Sequence, residues 1–269
     1  MGPATDGATG VVLVERRARA AFVTLNRPEA ANALSKDLVG ALEAVFSELA
    51  ALVKRGDDLR AVVVTGAGKA FSAGADLKER RAMTLDQTWG FLDELNHLMN
   101  AVAAFPRPVV AAINGAAFGG GLELALACDI RIAADSAEMG LTEVRLGVIP
   151  GAGGTQRLSR IASVAAAKEL ILTGRRVRAQ RAYTLGIVSD VVPGDNLADA
   201  AAKLADEIAL GGPLAVAAAK RAIDEGAALP LADALAVEAA CYQEILASDD
   251  RNEGLAAFGE KRPPVFKGR

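Results

Sequence analysis

The sequence predicts an α/β core with weak ββα repetition, followed by a helical C-terminal region. Three observations predict it. Short β-prone runs alternate with amphipathic helical stretches over the first two thirds of the 269 residues. One of those runs, Ala61-Val62-Val63-Val64, is continuously apolar, as suits a strand buried on both faces of a parallel sheet. The last third is rich in Ala and Leu, helical in pattern and without strand-like runs. Periodicity alone leaves open whether the core is a flat sheet or a coiled stack.

Taken in order, the Gly/Ala/Thr-rich residues 1–10 are expected to form a flexible tail, and they lack the basic-then-apolar pattern of a secretory signal. Residues 11–14 and 20–25 read as strands separated by a charged turn, Glu15-Arg16-Arg17, with Asn26-Arg27-Pro28 ending the unit. Leu38, Leu42, Val45, Phe46, Leu49, Leu52 and Val53 recur at helical steps after Ser35, a good N-cap. Residues 60–65 read as a strand and 66–74 as a glycine-punctuated loop. Leu85, Trp89, Leu92, Leu95, Met99 and Val102 mark a second helix, stopped by Pro106-Arg107-Pro108 before a strand at 109–113. A short apolar helix at 122–128 and a strand at 130–133 follow. Helical segments at 198–210, 213–225 and 231–246 complete the chain, so the expected division is a core at 11–194 and a helical region at 195–269. Helices that cannot cover their apolar faces on the core suit a neighbouring subunit.

Composition excludes several classes. No apolar run approaches the ~20 residues of a membrane helix. With 30 Lys+Arg against 33 Asp+Glu the net charge is −3, which gives no overall attraction to nucleic acid or anionic lipid. Arg175-Arg176-Val177-Arg178 with Arg181 lacks interleaved aromatics and reads as a solvated face or subunit contact. Cys128 and Cys241 lack zinc-site spacing and read as buried free thiols, which fits a reducing, cytoplasmic setting. His97 is the sole histidine and has no nucleophile motif beside it, so a Ser-His-Asp arrangement is unsupported.

The chemistry concentrates between Asn114 and Gly154. Gly119-Gly120-Gly121 falls between a strand and a helix, where unpaired helical N–H groups can receive a developing oxyanion. Glu123 sits within Leu122, Leu124, Ala125, Leu126, Ala127 and Cys128, and burial there would raise its carboxyl toward the range useful for proton transfer. Glu143 is the second acid, followed by Gly151-Ala152-Gly153-Gly154. Each feature also has a structural reading: a close-packing turn for the triplet, a salt-bridged acid for Glu123, and neutralisation by Arg145 for Glu143.

Several motifs in one order resemble the enoyl-CoA hydratase/isomerase family, also called the crotonase superfamily. They are Asn26-Arg27-Pro28 with Asn32-Ala33-Leu34, Phe71-Ser72-Ala73-Gly74-Ala75-Asp76-Leu77-Lys78, Asn114-Gly115, Gly119-Gly120-Gly121-Leu122-Glu123, Gly147 through Leu158, Thr173-Gly174-Arg175, Gly186-Ile187-Val188 and Glu260-Lys261-Arg262. The resemblance implies a crotonase-like spiral of ββα units with a C-terminal helical trimerisation region, giving homotrimers or hexamers. It implies an acyl-CoA thioester substrate, with coenzyme A part of the substrate and no further cofactor and no metal. It implies that the backbone N–H groups of Ala75 and Gly120 hold the thioester oxygen, and that Glu123 and Glu143 are the acid/base pair of a hydratase. The loop after Leu25, with Arg27, and the segment Ala73, Asp76 and Leu77 would line the acyl-CoA channel. Lys78, Phe258 and Lys261 are expected coenzyme A contacts, the last two from a neighbouring subunit. Within the family the chain is most similar to methylglutaconyl-CoA hydratases, which would place it in leucine breakdown. Two rival readings are a double-bond isomerase using Glu143 alone and a non-catalytic RNA-binding or scaffolding relative. Asp37, Glu43 and Glu48 offset Lys36, Lys54 and Arg55 on the first long helix and argue against RNA.

Overall fold

The computed structural model describes residues 10–269, so nine of the ten residues of the expected tail lie outside the described part. Strands β1 (Val12–Arg17) and β2 (Ala20–Leu25) form an antiparallel hairpin. The charged triplet is therefore strand, not turn. It is tolerated because β1 is the sheet edge, where Arg17 lies over the Phe22 ring and Arg16 pairs with Asp57. A 3₁₀ turn (Pro28–Ala30) leads to α1 (Lys36–Lys54), whose cap is Ser35 accepting from the Leu38 N–H, as expected.

Next come β3 (Ala61–Gly66), β4 (Ala70–Ser72), α2 (Leu77–Ala82) and α3 (Leu85–Ala103). The segment expected to be a loop thus contains a strand and leads into a short helix. The second repeat is β5 (Val109–Ile113), β6 (Ala116–Phe118) and α4 (Gly120–Ala127). The third is β7 (Ile130–Ala134), β8 (Glu138–Gly140), a 3₁₀ turn (Glu143–Leu146) and α5 (Gly154–Ile161). Helix α6 (Val164–Thr173), β9 (Val177–Arg178), α7 (Ala179–Thr184) and β10 (Asp190–Val192) close the core.

Each ββα repeat places its first strand in one sheet and its second in another. The six-stranded sheet runs β1-β2-β3-β5-β7-β10 and the four-stranded sheet β4-β6-β8-β9. Pairings between successive repeats, β3 with β5 and β5 with β7, β4 with β6 and β6 with β8, are all parallel. The core is therefore a coiled stack, as the resemblance implies. Residues 61–64 of β3 and the whole of β5 are apolar because both faces of the sheet are covered there.

Four helices follow: α8 (Leu197–Ala209), α9 (Pro213–Gly226), α10 (Leu231–Ile245) and α11 (Asp249–Glu260). Helix α8 lies on the six-stranded sheet against β2, β3, β5 and β7, burying Leu197, Ala201 and Ala205. Helices α9 and α10 pack mainly on each other, and Lys220 of α9 pins the pair to the core by donating to the Ala103 carbonyl and pairing with Asp129. Ile223, Leu231, Leu235, Tyr242 and Phe258 stay exposed. Both cysteines are free and buried, and His97 is exposed on α3.

Candidate active site

Three adjacent parallel strands deliver the site from their carboxyl ends. Strand β4 leads to Ala75, β6 to Gly120 at the start of α4, and β8 to Glu143 in the 3₁₀ turn. The carboxyl end of a parallel sheet is where chain turns leave polar backbone facing outward.

Ala75 forms a parallel bridge with Leu34. The Leu34 N–H donates to the Gly74 carbonyl at 2.8 Å, and the Asp76 N–H donates to the Leu34 carbonyl at 3.1 Å. The flanking residues make the bonds, so the N–H of Ala75 itself points the other way. Gly120 is the first residue of α4, where helical N–H groups have no intrahelical acceptor. Among the described residues neither N–H has a hydrogen-bond partner. The two lie close together, since a Cβ on Gly120 would sit 3.7 Å from the Ala75 nitrogen.

Glu123 is one turn further along α4 and only 3% exposed. Its Oε1 accepts from the N–H groups of Ala152 at 2.8 Å and Gly154 at 2.7 Å. Burial raises its carboxyl, while those two donors and the Arg157 charge oppose the rise. Glu143 approaches the glycine triplet, with Oε1 3.2 Å from where a Cβ on Gly119 would be. Its Oε2 is buried without a hydrogen-bond partner. Burial, with the nearby Glu123 charge adding to it, pushes Glu143 up to about 7. Arg145 does not neutralise it; that guanidinium donates to the Thr173 carbonyl. The environments differ in kind, because Glu123 is supplied with donors that favour a carboxylate and Glu143 has none for its buried oxygen.

The sequence profile of the enoyl-CoA hydratase/isomerase family matches residues 15–269. This chain is a member of that family. Human mitochondrial enoyl-CoA hydratase domain-containing protein 2 is 45% identical over 279 residues, covering 100% of this chain and 94% of that protein. Mouse mitochondrial methylglutaconyl-CoA hydratase is 43% identical over 249 residues, covering 91% and 78%. The crystal structure of an enoyl-CoA hydratase from Bacillus anthracis matches with a TM-score of 0.93 at 46% identity, covering 96% of this chain and 100% of that one. The fold is the crotonase fold.

In this family member the expected channel segments are stitched together. Arg27 pairs with Asp76 at 3.1 Å and donates to the Ala33 carbonyl at 2.6 Å, and Asp76 also caps α2 through the Lys78 N–H. Arg27 and Asp76 therefore brace the loop after β2 against the Ala75 segment. Ala73, Leu77 and Lys78 are exposed beside it. Phe258, 87% exposed, and Lys261 lie at the end of α11, and no hydrogen bond or ion pair among the described residues joins them to the carboxylates. Among those residues no cluster of three or more His, Cys, Asp or Glu side chains is placed to hold a metal ion.

Two residues carry more of the site than sequence reasoning assigned. Asn32, fully buried, accepts from the Arg27 N–H at 2.8 Å and donates to the carbonyls of Ala67 at 2.9 Å and Ala70 at 2.7 Å. Ser72 Oγ donates to the Asn32 carbonyl at 2.8 Å and accepts from the Gly74 N–H at 3.3 Å. The signal the sequence carries for them is their place in the motifs Asn32-Ala33-Leu34 and Phe71 through Lys78. Asn32→Ala is expected to lose about 2–4 kcal/mol of stability by stranding those partners, read as a lower urea midpoint at unchanged slope. The Gly151–Gly154 run, which reads in sequence as a structural turn after Glu143, is instead the holder of Glu123.

Proposed function

We propose that the protein is an enoyl-CoA hydratase that adds water reversibly across the 2,3 double bond of a 2-enoyl-CoA thioester to give a 3-hydroxyacyl-CoA. The observation that carries this reading is the pair of unequal carboxylates beside two free N–H groups. The N–H groups of Ala75 and Gly120 would donate to the thioester oxygen, drawing charge from the β-carbon and stabilising the enolate that water attack creates. Glu123, held as a carboxylate by two amide donors, takes a proton from water as the hydroxyl adds to C3. Glu143, holding its proton, delivers it to C2. The base gains one proton and the acid gives one, so the pair must exchange a proton before the next turnover. The cycle moves only water and protons, so no metal or redox cofactor is required.

The acid/base assignment has a pH consequence. Glu143 must be protonated to donate, so kcat/KM for hydration falls as pH rises through about 7. It falls again at low pH as Glu123 gains a proton, and the bell belongs to the coupled pair. A rate of crotonyl-CoA hydration that rises steadily to alkaline pH would contradict the donor role.

An isomerase using Glu143 alone has less support, because burying Glu123 with dedicated donors gives such an enzyme nothing. The finer substrate reading, 3-methylglutaconyl-CoA in leucine breakdown, rests on the 43% identity to the mouse hydratase of that name. Comparing kcat/KM across straight-chain, branched and carboxylated enoyl-CoA thioesters tests it, and a preference for the short straight chain would overturn it. The exposed apolar faces of α9, α10 and α11 support a homotrimer or stacked hexamer, in which Phe258 and Lys261 would reach a neighbour's coenzyme A. Two free buried thiols support a reducing compartment such as the cytoplasm.

A further inference from the structure

One of the two amides that hold Glu123 belongs to a peptide unit held from behind by a side chain, and the peptide unit that lies between the two is held in the same way. The Gly151–Ala152 peptide donates its N–H to Glu123 Oε1, and its carbonyl accepts from Asn96 Nδ2 at 2.8 Å. The other hydrogen of that amide goes to the Leu92 carbonyl at 2.8 Å, one turn earlier on α3, which fixes the Asn96 side chain. The next carbonyl, of Ala152, accepts from Arg157 Nη1 at 2.9 Å, and Arg157 Nη2 donates to Asn100 Oδ1 at 2.9 Å. Leu92, Asn96 and Asn100 are spaced by four residues, so one face of α3 lies along the loop. Space is set aside for the guanidinium: a Cβ on Gly153 would fall 2.2 Å from Arg157 Nη1. A peptide unit is planar, so fixing its carbonyl fixes the direction of its N–H.

We propose that Asn96 and Arg157 are positioning residues that clamp the Gly151–Gly154 loop from α3 and α5 and thereby hold Glu123 in its working orientation and charge state. Arg157 contributes its charge as well as its hydrogen bonds. Among the described residues the charged groups that act on Glu123 are Arg157 from α5 and Glu143 from the 3₁₀ turn. Strands β4 and β6 carry no ionisable side chain, and on α3 Asp86, Asp93, Glu94 and His97 are exposed. This inference rests on Glu123 acting as the base in hydration.

The test compares Asn96→Leu, Arg157→Met, Arg157→Lys and Glu123→Gln, with the doubles Glu123→Gln/Asn96→Leu and Glu123→Gln/Arg157→Met, on crotonyl-CoA. Asn96→Leu is expected to lower kcat roughly 100-fold with KM little changed, as a misdirected catalytic group does. Arg157→Met is expected to move the acidic limb of kcat/KM up by about one pH unit, because removing a nearby cation disfavours the carboxylate. Arg157→Lys, which keeps the charge, leaves that limb in place. Neither clamp substitution costs further rate in the Glu123→Gln background, since each acts through Glu123. An unmoved acidic limb in Arg157→Met, or losses that multiply in the doubles, overturns the clamp and reduces both residues to scaffolding. Full hydration by Glu123→Gln would instead overturn the hydratase reading itself, so the two failures are distinguishable.

Discussion

Glu123→Gln lowers kcat for crotonyl-CoA hydration by about 1,000-fold while leaving KM and the unfolding midpoint close to those of the unsubstituted protein. The size follows from general base catalysis, which contributes roughly 10²–10⁴-fold. The fold survives because the amide oxygen of Gln can accept the same two bonds from Ala152 and Gly154 that Oε1 accepts now. What it cannot do is take a proton. Undiminished turnover would leave Glu123 as a buried structural acid, the rival reading that its apolar surroundings allow. Stopped assays of product at saturating substrate, paired with urea melts, separate the two outcomes.

Gly121→Ala strikes the fold and the site together. A Cβ there would lie 2.3 Å from the Ser72 carbonyl oxygen and 2.7 Å from its Cβ, contacts to a strand rather than to a flexible side-chain end. Helix α4 or strand β4 has to move. Overpacking of this kind costs about 1–3 kcal/mol, and backbone against backbone puts this position at the upper end. The displacement also separates the Gly120 N–H from that of Ala75, so kcat falls by about 100-fold in the fraction that folds. Measured stability and kcat near those of the unsubstituted protein would mean that the close approach of β4 to α4 is not required.

What the sequence made legible depends on element length. Long helices such as α1 and α3 carry enough turns for their apolar stripe to show, and Ser35 marks a start by its cap chemistry. The first sheet is legible for the same reason, because Ala61-Val62-Val63-Val64 must be apolar on both faces. The second sheet is not. Strands β4, β6 and β8 are three residues each, made of residues such as Ala70, Ala116 and Gly140 with no alternation to read. Those three strands are the ones that deliver Ala75, Gly120 and Glu143.

Glu123 is visible in the sequence as an acid among apolar neighbours, and Glu143 only as a second acid beside Arg145. Their difference is not visible there, because it comes from partners 29 and 31 residues away in the chain, the amides of Ala152 and Gly154. The donor pair was half visible. A glycine triplet before a helix announces free N–H groups, whereas Ala75 looks like any loop residue until its parallel bridge to Leu34 turns its N–H outward. Asn96 acts through a carbonyl 55 residues away, and Arg157, though only five residues from its acceptor, carries no local mark that ties it to Glu123.

The central claim is that two unequal carboxylates add water to an enoyl thioester, and isotope incorporation tests it most directly. Crotonyl-CoA turned over by the unsubstituted protein in ¹⁸O-labelled water is predicted to yield 3-hydroxybutyryl-CoA carrying one labelled oxygen at C3. A product with a shifted double bond and no incorporated label would contradict the account and assign the site to isomerisation.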